Sequence, residues 1–409
     1  MGICTIMLVY LYQFSFSGKL SMLKISLTLF FVVSVIFSTI YTPQAILPTL
    51  KEVFHISIAE TNLLLSGMLF VLMVTTPLYA PLTRRYEKKK IMMVSIFFLF
   101  IAVLLSAFAS NYYWLLLSRV MQGIFIPGIT AIMLSYVQDI YPTEHRGLGM
   151  GIYMASTGFG AVMGRLLAGW ITYAYSWREA FGLFALFLLV ALFAMATQLP
   201  KVKLKIHTQK EQTNKRTLLS YLSSPKTLSI FFIPMVVFFS FMAVTTFITY
   251  HLSQAPFFLN EAALGSLFLV LLLSVVASPL AGKYSDKIGR VKVLFLALIS
   301  LLIGILLTLS TSLLVILIGL GLVTIGMFSV QSVTPTYLGD LFPHERARVA
   351  ILYQTFFYFG GAMGTLVPAW VWRYSGYDAV ALFCVGLVGF GVSPLVYLNI
   401  KGDRVNERV

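Results

Sequence analysis

The chain has 409 residues, of which 59% are apolar and only 11% charged, and its mean hydropathy is +0.91. Soluble domains run nearer half apolar and a quarter charged, so this composition excludes a soluble globular enzyme. The formal net charge of +15 sits as Lys and Arg in short segments between apolar runs, the charge bias of membrane loops, which argues against a nucleic-acid partner.

Residues 5–17 are apolar but too few to cross a bilayer, and they lack the early positive charge and small-residue cleavage site of a signal peptide. Residues 1–21 therefore read as an extension, with Met22 the expected start. Runs of about twenty apolar residues, enough to cross roughly 30 Å of hydrocarbon, recur from there on. They predict helices over 25–47, 61–82, 91–110, 112–136, 148–173 and 179–199, then over 228–251, 263–282, 292–310, 312–336, 349–372 and 379–399. The fold class is thus all-α membrane protein, with six-helix bundles over 22–199 and 228–400, a basic linker over 200–227 and a tail over 401–409. Cys4 and Cys384 match no Cys-x-x-Cys spacing and have no His cluster nearby, so no disulfide framework and no metal site is expected.

Placing the N-terminus in the cytoplasm puts Lys24, Arg84, Arg85, Lys88, Lys89, Lys90, Arg146, the linker lysines, Lys283, Lys287, Arg290, Lys292, Arg346, Arg348 and the tail on one side. Lys51, Arg178 and Arg373 alone fall on the other, so both termini are expected inside. The linker reads as a solvated, topology-fixing segment.

Self-comparison finds a repeat of about 200 residues. Asp139-Ile-Tyr-Pro142-Thr-Glu144 matches Asp340-Leu-Phe-Pro343-His-Glu345, and Tyr153, Phe159, Gly160, Met163, Gly164, Leu166 and Trp170 meet Tyr353, Phe359, Gly360, Met363, Gly364, Leu366 and Trp370. A second match pairs Pro77, Leu78, Arg85, Lys88 and Lys90 with Pro279, Leu280, Lys287, Arg290 and Lys292. Two like-oriented halves around a midplane site are a known transporter plan.

These residues resemble the major facilitator superfamily. Its hallmark loop is Gly-x-x-x-Asp-Arg/Lys-x-Gly-Arg/Lys, and Gly282-Lys-Tyr-Ser-Asp286-Lys287-Ile-Gly289-Arg290 fits it fully. The first-half copy, Ala80-Pro-Leu-Thr-Arg84-Arg85-Tyr-Glu87-Lys88, keeps the basic residues but loses both glycines and the Asp. The resemblance implies that Asp286 latches the start of the fifth helix near Arg146 and Gly147, whereas Arg84 cannot do the same near Arg348. Arg119-Val-Met-Gln122-Gly123 resembles an Arg-x-x-x-Gly motif of family exporters, and its spacing puts Arg119, Gln122 and Gly123 on one helix face. Gly158-Phe-Gly160-Ala-Val-Met-Gly164-Arg165 is similar to a glycine-rich antiporter motif without its Gly-Pro pair. Gly123, Gly160, Gly164, Gly360 and Gly364 are expected to let helices pack closely.

An Arg inside a membrane helix faces the protein interior or a wet cavity, so Arg119 and Arg165 are candidate cavity residues. Arg165 has Thr365 as its repeat partner, so its charge is not needed merely to build the fold. Tyr41, Gln44, Tyr153, Thr245, Thr246, Tyr250, Gln331 and Gln354 are further cavity candidates, with helix packing as the competing role. No acidic residue falls near the centre of a predicted span, which weighs against the commonest proton-coupling arrangement and leaves Glu60, Glu261 and His251 at helix ends. Two buried guanidinium groups without a carboxylate favour an anionic or carbonyl-rich substrate.

Gly282-Lys283 is followed by Tyr284, so no nucleotide-binding loop is present, and no hydrolase motif gathers. The expectation is a monomeric secondary transporter in the inner membrane, without cofactor. It resembles drug- and arabinose-efflux permeases, exporting a drug-like compound or metabolite with protons as the candidate coupling ion. Import of an organic anion or sugar is the alternative, and a membrane enzyme or channel a remote one.

Overall fold

The computed structural model describes residues 16–142, 145–200, 202, 225–342 and 346–406, with the backbone alone described at some helix ends. Residues 1–15 and nearly all of the 200–227 linker lie outside the described residues, as do Thr143, Glu144 and Pro343–Glu345.

With no water in the hydrocarbon to satisfy backbone N–H and C=O groups, helices are the economical answer, and all regular structure among the described residues is helical. The first half holds α1 (Phe16–Tyr41), the short α2 (Leu47–Phe54), α3 (Ile58–Arg85) and α4 (Lys88–Ala107), then α5 (Tyr112–Phe125), α6 (Pro127–Ile140), α7 (Arg146–Ala174) and α8 (Trp177–Gln198). The second half holds α9 (Pro225–Leu252), α10 (Glu261–Leu267), α11 (Ser274–Ile288), α12 (Arg290–Leu307), α13 (Leu313–Leu341), α14 (Arg346–Leu366) and α15 (Pro368–Asn406). Pro127 breaks the fourth span into α5 and α6, a 3-10 turn joins α10 to α11 in the eighth, and Gly376 at φ 59° divides α15 between the eleventh and twelfth.

Ten stretches among the described residues are long and apolar enough to cross a membrane. The fifth and eleventh spans, α7 and α14, fall outside that set because Gly, Ser, Thr, Tyr and Gln dilute their apolar content. Those two helices also carry the matched glycines, and each packs against the opposite half, α7 on α10 and α14 on α3.

Packing repeats with the sequence. α1 packs on α7 as α9 packs on α14, and α4 packs on α8 as α12 packs on α15. A Cβ on Gly160 or Gly164 would collide with the carbonyl oxygens of Ser34 and Ser38, and one on Gly360 or Gly364 with those of Met235 and Phe239. In the first half the close approach is sealed by hydroxyls: Ser38 Oγ donates to Gly160 O at 2.9 Å and Ser34 Oγ to Ser156 O at 3.2 Å. Gly123 likewise lets α5 lie against the Met68 carbonyl of α3. Replacing Gly164 by valine is expected to cost about 1–3 kcal/mol through overpacking, read as a lower melting temperature of the detergent-solubilised protein.

The helices run further than the sequence predicts at the basic end. Lys283–Ile288, expected beyond the helix end, are the last turns of α11, and only Gly289 leaves the helix, at φ 97°. The helix continues because past the bilayer water satisfies its surface and Arg290 pairs with Asp286 one turn back, at 2.6 Å. The first-half turn passes instead through Tyr86 and Glu87 in extended backbone, at φ −125° and −60°, which explains how it dispenses with the glycine. Lys88 meets Asp139 at 2.6 Å and Arg290 meets Asp340 at 3.2 Å, so both halves tie the start of their third helix to the end of their fourth.

Candidate functional site

Pro43 shapes the centre of the molecule. Lacking an N–H, it cannot bond the carbonyl of Thr39 four residues back, so α1 ends at Tyr41 and Thr42–Ala45 form a 3-10 turn. The α1 carbonyls orphaned there, together with the negative end of the helix dipole, draw a cation. Arg119 of α5 supplies it: Nη1 donates to Thr39 O at 2.9 Å and Nη2 to Ile40 O at 2.9 Å. Nε donates to Leu64 O at 3.1 Å, Nη2 also reaches Met68 Sδ, and Nη1 donates to Gln122 Oε1. Gln122 Nε2 in turn donates to Ser106 Oγ at 2.8 Å. Five acceptors answer the five N–H bonds of a guanidinium, so Arg119, fully buried, has no donor left for a ligand in this conformation.

Arg165, one turn beyond Ala161 on α7, is placed differently. It is 1% exposed; Nε donates to Gln44 Oε1 at 2.7 Å and Nη1 to Ala161 O at 2.6 Å, while Nη2 has no partner. Its guanidinium carbon stands 4.0 Å from the Tyr41 ring centre and 4.7 Å from that of Phe268, so aromatic faces stabilise the charge where no carboxylate does. Gln44 points onward to the second half, its Nε2 donating to Thr246 Oγ1 at 2.8 Å and Thr245 Oγ1 at 3.0 Å. Arg165, Tyr41, Gln44, Thr245, Thr246 and Phe268 thus meet between the halves. A cavity of about 260 Å³ between α13 and α14 is bordered by Tyr353, whose buried hydroxyl has no partner.

The halves close on each other at the end away from the basic loops. There Tyr250 Oη donates to Asn62 Oδ1 at 2.9 Å, Asn62 Nδ2 donates to Thr365 O at 3.0 Å, and Thr49 Oγ1 donates to Glu261 Oε1 at 2.8 Å. Gly169 of α7 and Gly265 of α10 lie backbone to backbone, a Cβ on Gly265 standing 2.8 Å from Arg165 O. Trp170 donates from Nε1 to Ser266 Oγ at 3.0 Å, and exposed Tyr113, Trp114, Tyr173, Tyr175, Trp370 and Tyr374 ring this end as an interfacial belt. At the opposite, basic end the ion pairs Lys88–Asp139 and Arg290–Asp340 each run within one half. Asp286 holds Arg290 of its own half, and the space a Gly147 side chain would take is empty out to 4 Å, so the latch expected between them is not engaged here. Arg85 is exposed; the side chains of Arg84 and Arg348 lie outside the described residues.

Among the other residues expected from sequence, Tyr250 lies in the seal, and Tyr153 donates to Thr130 O at 3.2 Å. Gln331 and Gln354 are half-buried on α13 and α14 with no hydrogen bond to Arg165. Glu60 closes its own capping box with Ser57, and His251 stacks on Tyr377 with ring centres 5.0 Å apart. Phe268 and Asn62 were not anticipated. Phe268 sits in an apolar run that gives no signal, whereas Asn62, an amide opening an apolar helix, was a legible cue. Among the described residues no group of three or more His, Cys, Asp or Glu is arranged to hold a metal ion.

Comparison with known proteins agrees with this architecture. An uncharacterized MFS-type transporter, YybF of Bacillus subtilis, is 26% identical over 365 residues, covering 89% of each chain. The inner membrane transport protein YnfM of Escherichia coli is 25% identical over 411 residues, 97% of this chain and 94% of that one. The crystal structure of a bacterial homologue of the human lysosomal transporter Spinster, inward-facing and occupied, superposes with a TM-score of 0.74 at 16% identity, covering 93% of this chain and 96% of that one. The family model described as Major Facilitator Superfamily matches residues 28–274 and 257–408. With two repeated bundles closed around a buried arginine, this chain belongs to the Major Facilitator Superfamily and is a multi-pass membrane transporter, not an enzyme.

Proposed function

We propose that this transporter exports a small organic anion with an apolar, aromatic-compatible body, alternating access around Arg165. The carrying observation is the guanidinium of Arg165, buried between the halves with an open Nη2 and no acidic partner among the described residues. A desolvated cation of this kind gains most from a carboxylate or phosphate oxygen, which it binds in a planar fork. Tyr41 and Phe268 supply faces for an apolar body. The exporter assignment rests on the resemblance to drug- and arabinose-efflux permeases.

In this reading the basic end faces the cytoplasm, both termini lie inside, and the conformation is inward-open. The site then loads from the cell interior and is sealed on the outside by Gln44, Asn62, Tyr250 and Glu261. A cysteine replacing Glu52, exposed at the sealed end, is expected to react with an impermeant maleimide in intact cells, while one replacing Lys283 reacts only after permeabilisation. The opposite pattern inverts the topology.

Everted membrane vesicles test substrate and direction together. Vesicles containing the protein are expected to accumulate labelled benzoate and not benzamide, its uncharged amide, with export appearing as uptake. Equal accumulation of both overturns the anionic reading. Repeating the assay with and without an imposed pH gradient reports on proton coupling, for which no carboxylate stands beside Arg165 among the described residues.

A further inference from the structure

Gln44 occupies an unusual position: one amide group touches the charge in the site with its oxygen and the opposite half of the protein with its nitrogen. The guanidinium offers a carboxylate two edges, Nε with Nη2 and Nη1 with Nη2. In this conformation the first edge is half filled by Gln44 Oε1 on Nε, Ala161 O takes one of the two Nη1 hydrogens, and Nη2 is vacant. Ala161 O is a backbone atom of α7 and stays in place when a ligand arrives. Gln44 Oε1 ends a rotatable side chain and can leave. Because Arg165 is only 1% exposed, an anion reaches its fork by displacing a neighbour, and Gln44 is the neighbour whose side chain can swing away.

We propose that Gln44 is the positioning residue that couples occupancy of Arg165 to the seal between the halves. An anion taking the Nε/Nη2 edge expels Gln44 Oε1, and the freed amide no longer holds its Nε2 against Thr245 and Thr246 of α9. Binding and unsealing then draw on the same side chain, so the loaded protein opens at the sealed end and the empty one does not. The inference rests on the anion reading of Arg165 and adds the relay. Its geometry places the exchange on the 3-10 turn Thr42–Ala45, the one irregular segment of the first span, where a side chain can swing without breaking an α-helical ladder.

Two spin labels across the sealed end read this directly. Both sites are exposed, on α2 and between α9 and α10: Glu52→Cys and Gln254→Cys, in a protein carrying Cys4→Ala and Cys384→Ala and reconstituted in lipid nanodiscs. Benzoate is expected to raise the long-distance population of the otherwise wild-type protein about threefold, and benzamide to leave it unchanged. Gln44→Ala is expected to show the raised population without any ligand, and to gain nothing further from benzoate while still binding it. Thr245→Val with Thr246→Val, which removes the far anchor and leaves Arg165 and Gln44 in place, is expected to behave the same way. A Gln44→Ala protein that stays closed when empty and opens with benzoate like the wild type overturns the relay. Absence of a benzoate response in the wild type, together with opening in ligand-free Gln44→Ala, upholds the seal and overturns the anionic reading instead.

Discussion

Arg165→Leu is expected to lower benzoate transport in everted vesicles roughly a hundredfold, corresponding to about 3 kcal/mol, while the protein still folds and reaches the membrane. The size follows from losing a charge-assisted fork in a site where water cannot replace it. Folding survives because Arg165 holds little together: its bonds go to the side chain of Gln44 and to Ala161 of its own helix. Arg165→Lys keeps the charge but not the planar fork, and about a tenfold loss is expected. Direct binding measured by isothermal calorimetry should fall in the same order. Transport by Arg165→Leu within a factor of about two of wild type would remove Arg165 from the substrate path.

The second large effect is of the opposite kind. Arg119→Leu is expected to destabilise the protein by about 2 kcal/mol, taking its four interhelical hydrogen bonds at roughly 0.6 kcal/mol each, and to spare the affinity for benzoate. Removing this side chain takes a donor from the carbonyls of Thr39, Ile40 and Leu64 and frees Gln122, all of them buried. Arg119→Lys should not rescue stability, because one ammonium cannot reach acceptors spread around a planar group. The measurements are the melting temperature in detergent and, at a temperature where the variant stays folded, the dissociation constant. A variant of wild-type stability with lost transport would move Arg119 from the scaffold to the transport path.

Sequence analysis makes both arginines cavity candidates and sets Arg165 apart only by its repeat partner Thr365, since each is a cation in an apolar helix without an acidic partner. Their difference lies in acceptors contributed by other helices, Thr39 and Ile40 from α1 and Leu64 from α3 for Arg119, against Gln44 alone for Arg165. The cue present in the chain was Pro43, whose missing N–H leaves Thr39 O open. Reading it required knowing that α5 crosses α1 at that level. Tyr250 shows the same limit, because a tyrosine in the seventh span suits a cavity as well as it suits the seal where Asn62 receives it.

What the sequence by itself determined was the class and the plan. Lipid demands apolar runs of fixed length that satisfy their own backbone, so the spans are countable, and a duplicated pattern of glycines and aromatics reveals like halves without any coordinates. What only the tertiary structure decided was which polar groups are consumed and which are open, and at which end the halves meet. Hydrogen-bond valence is exhausted by neighbours distant in sequence, such as Gln44 with Thr245 and Thr49 with Glu261, and no local periodicity encodes those encounters.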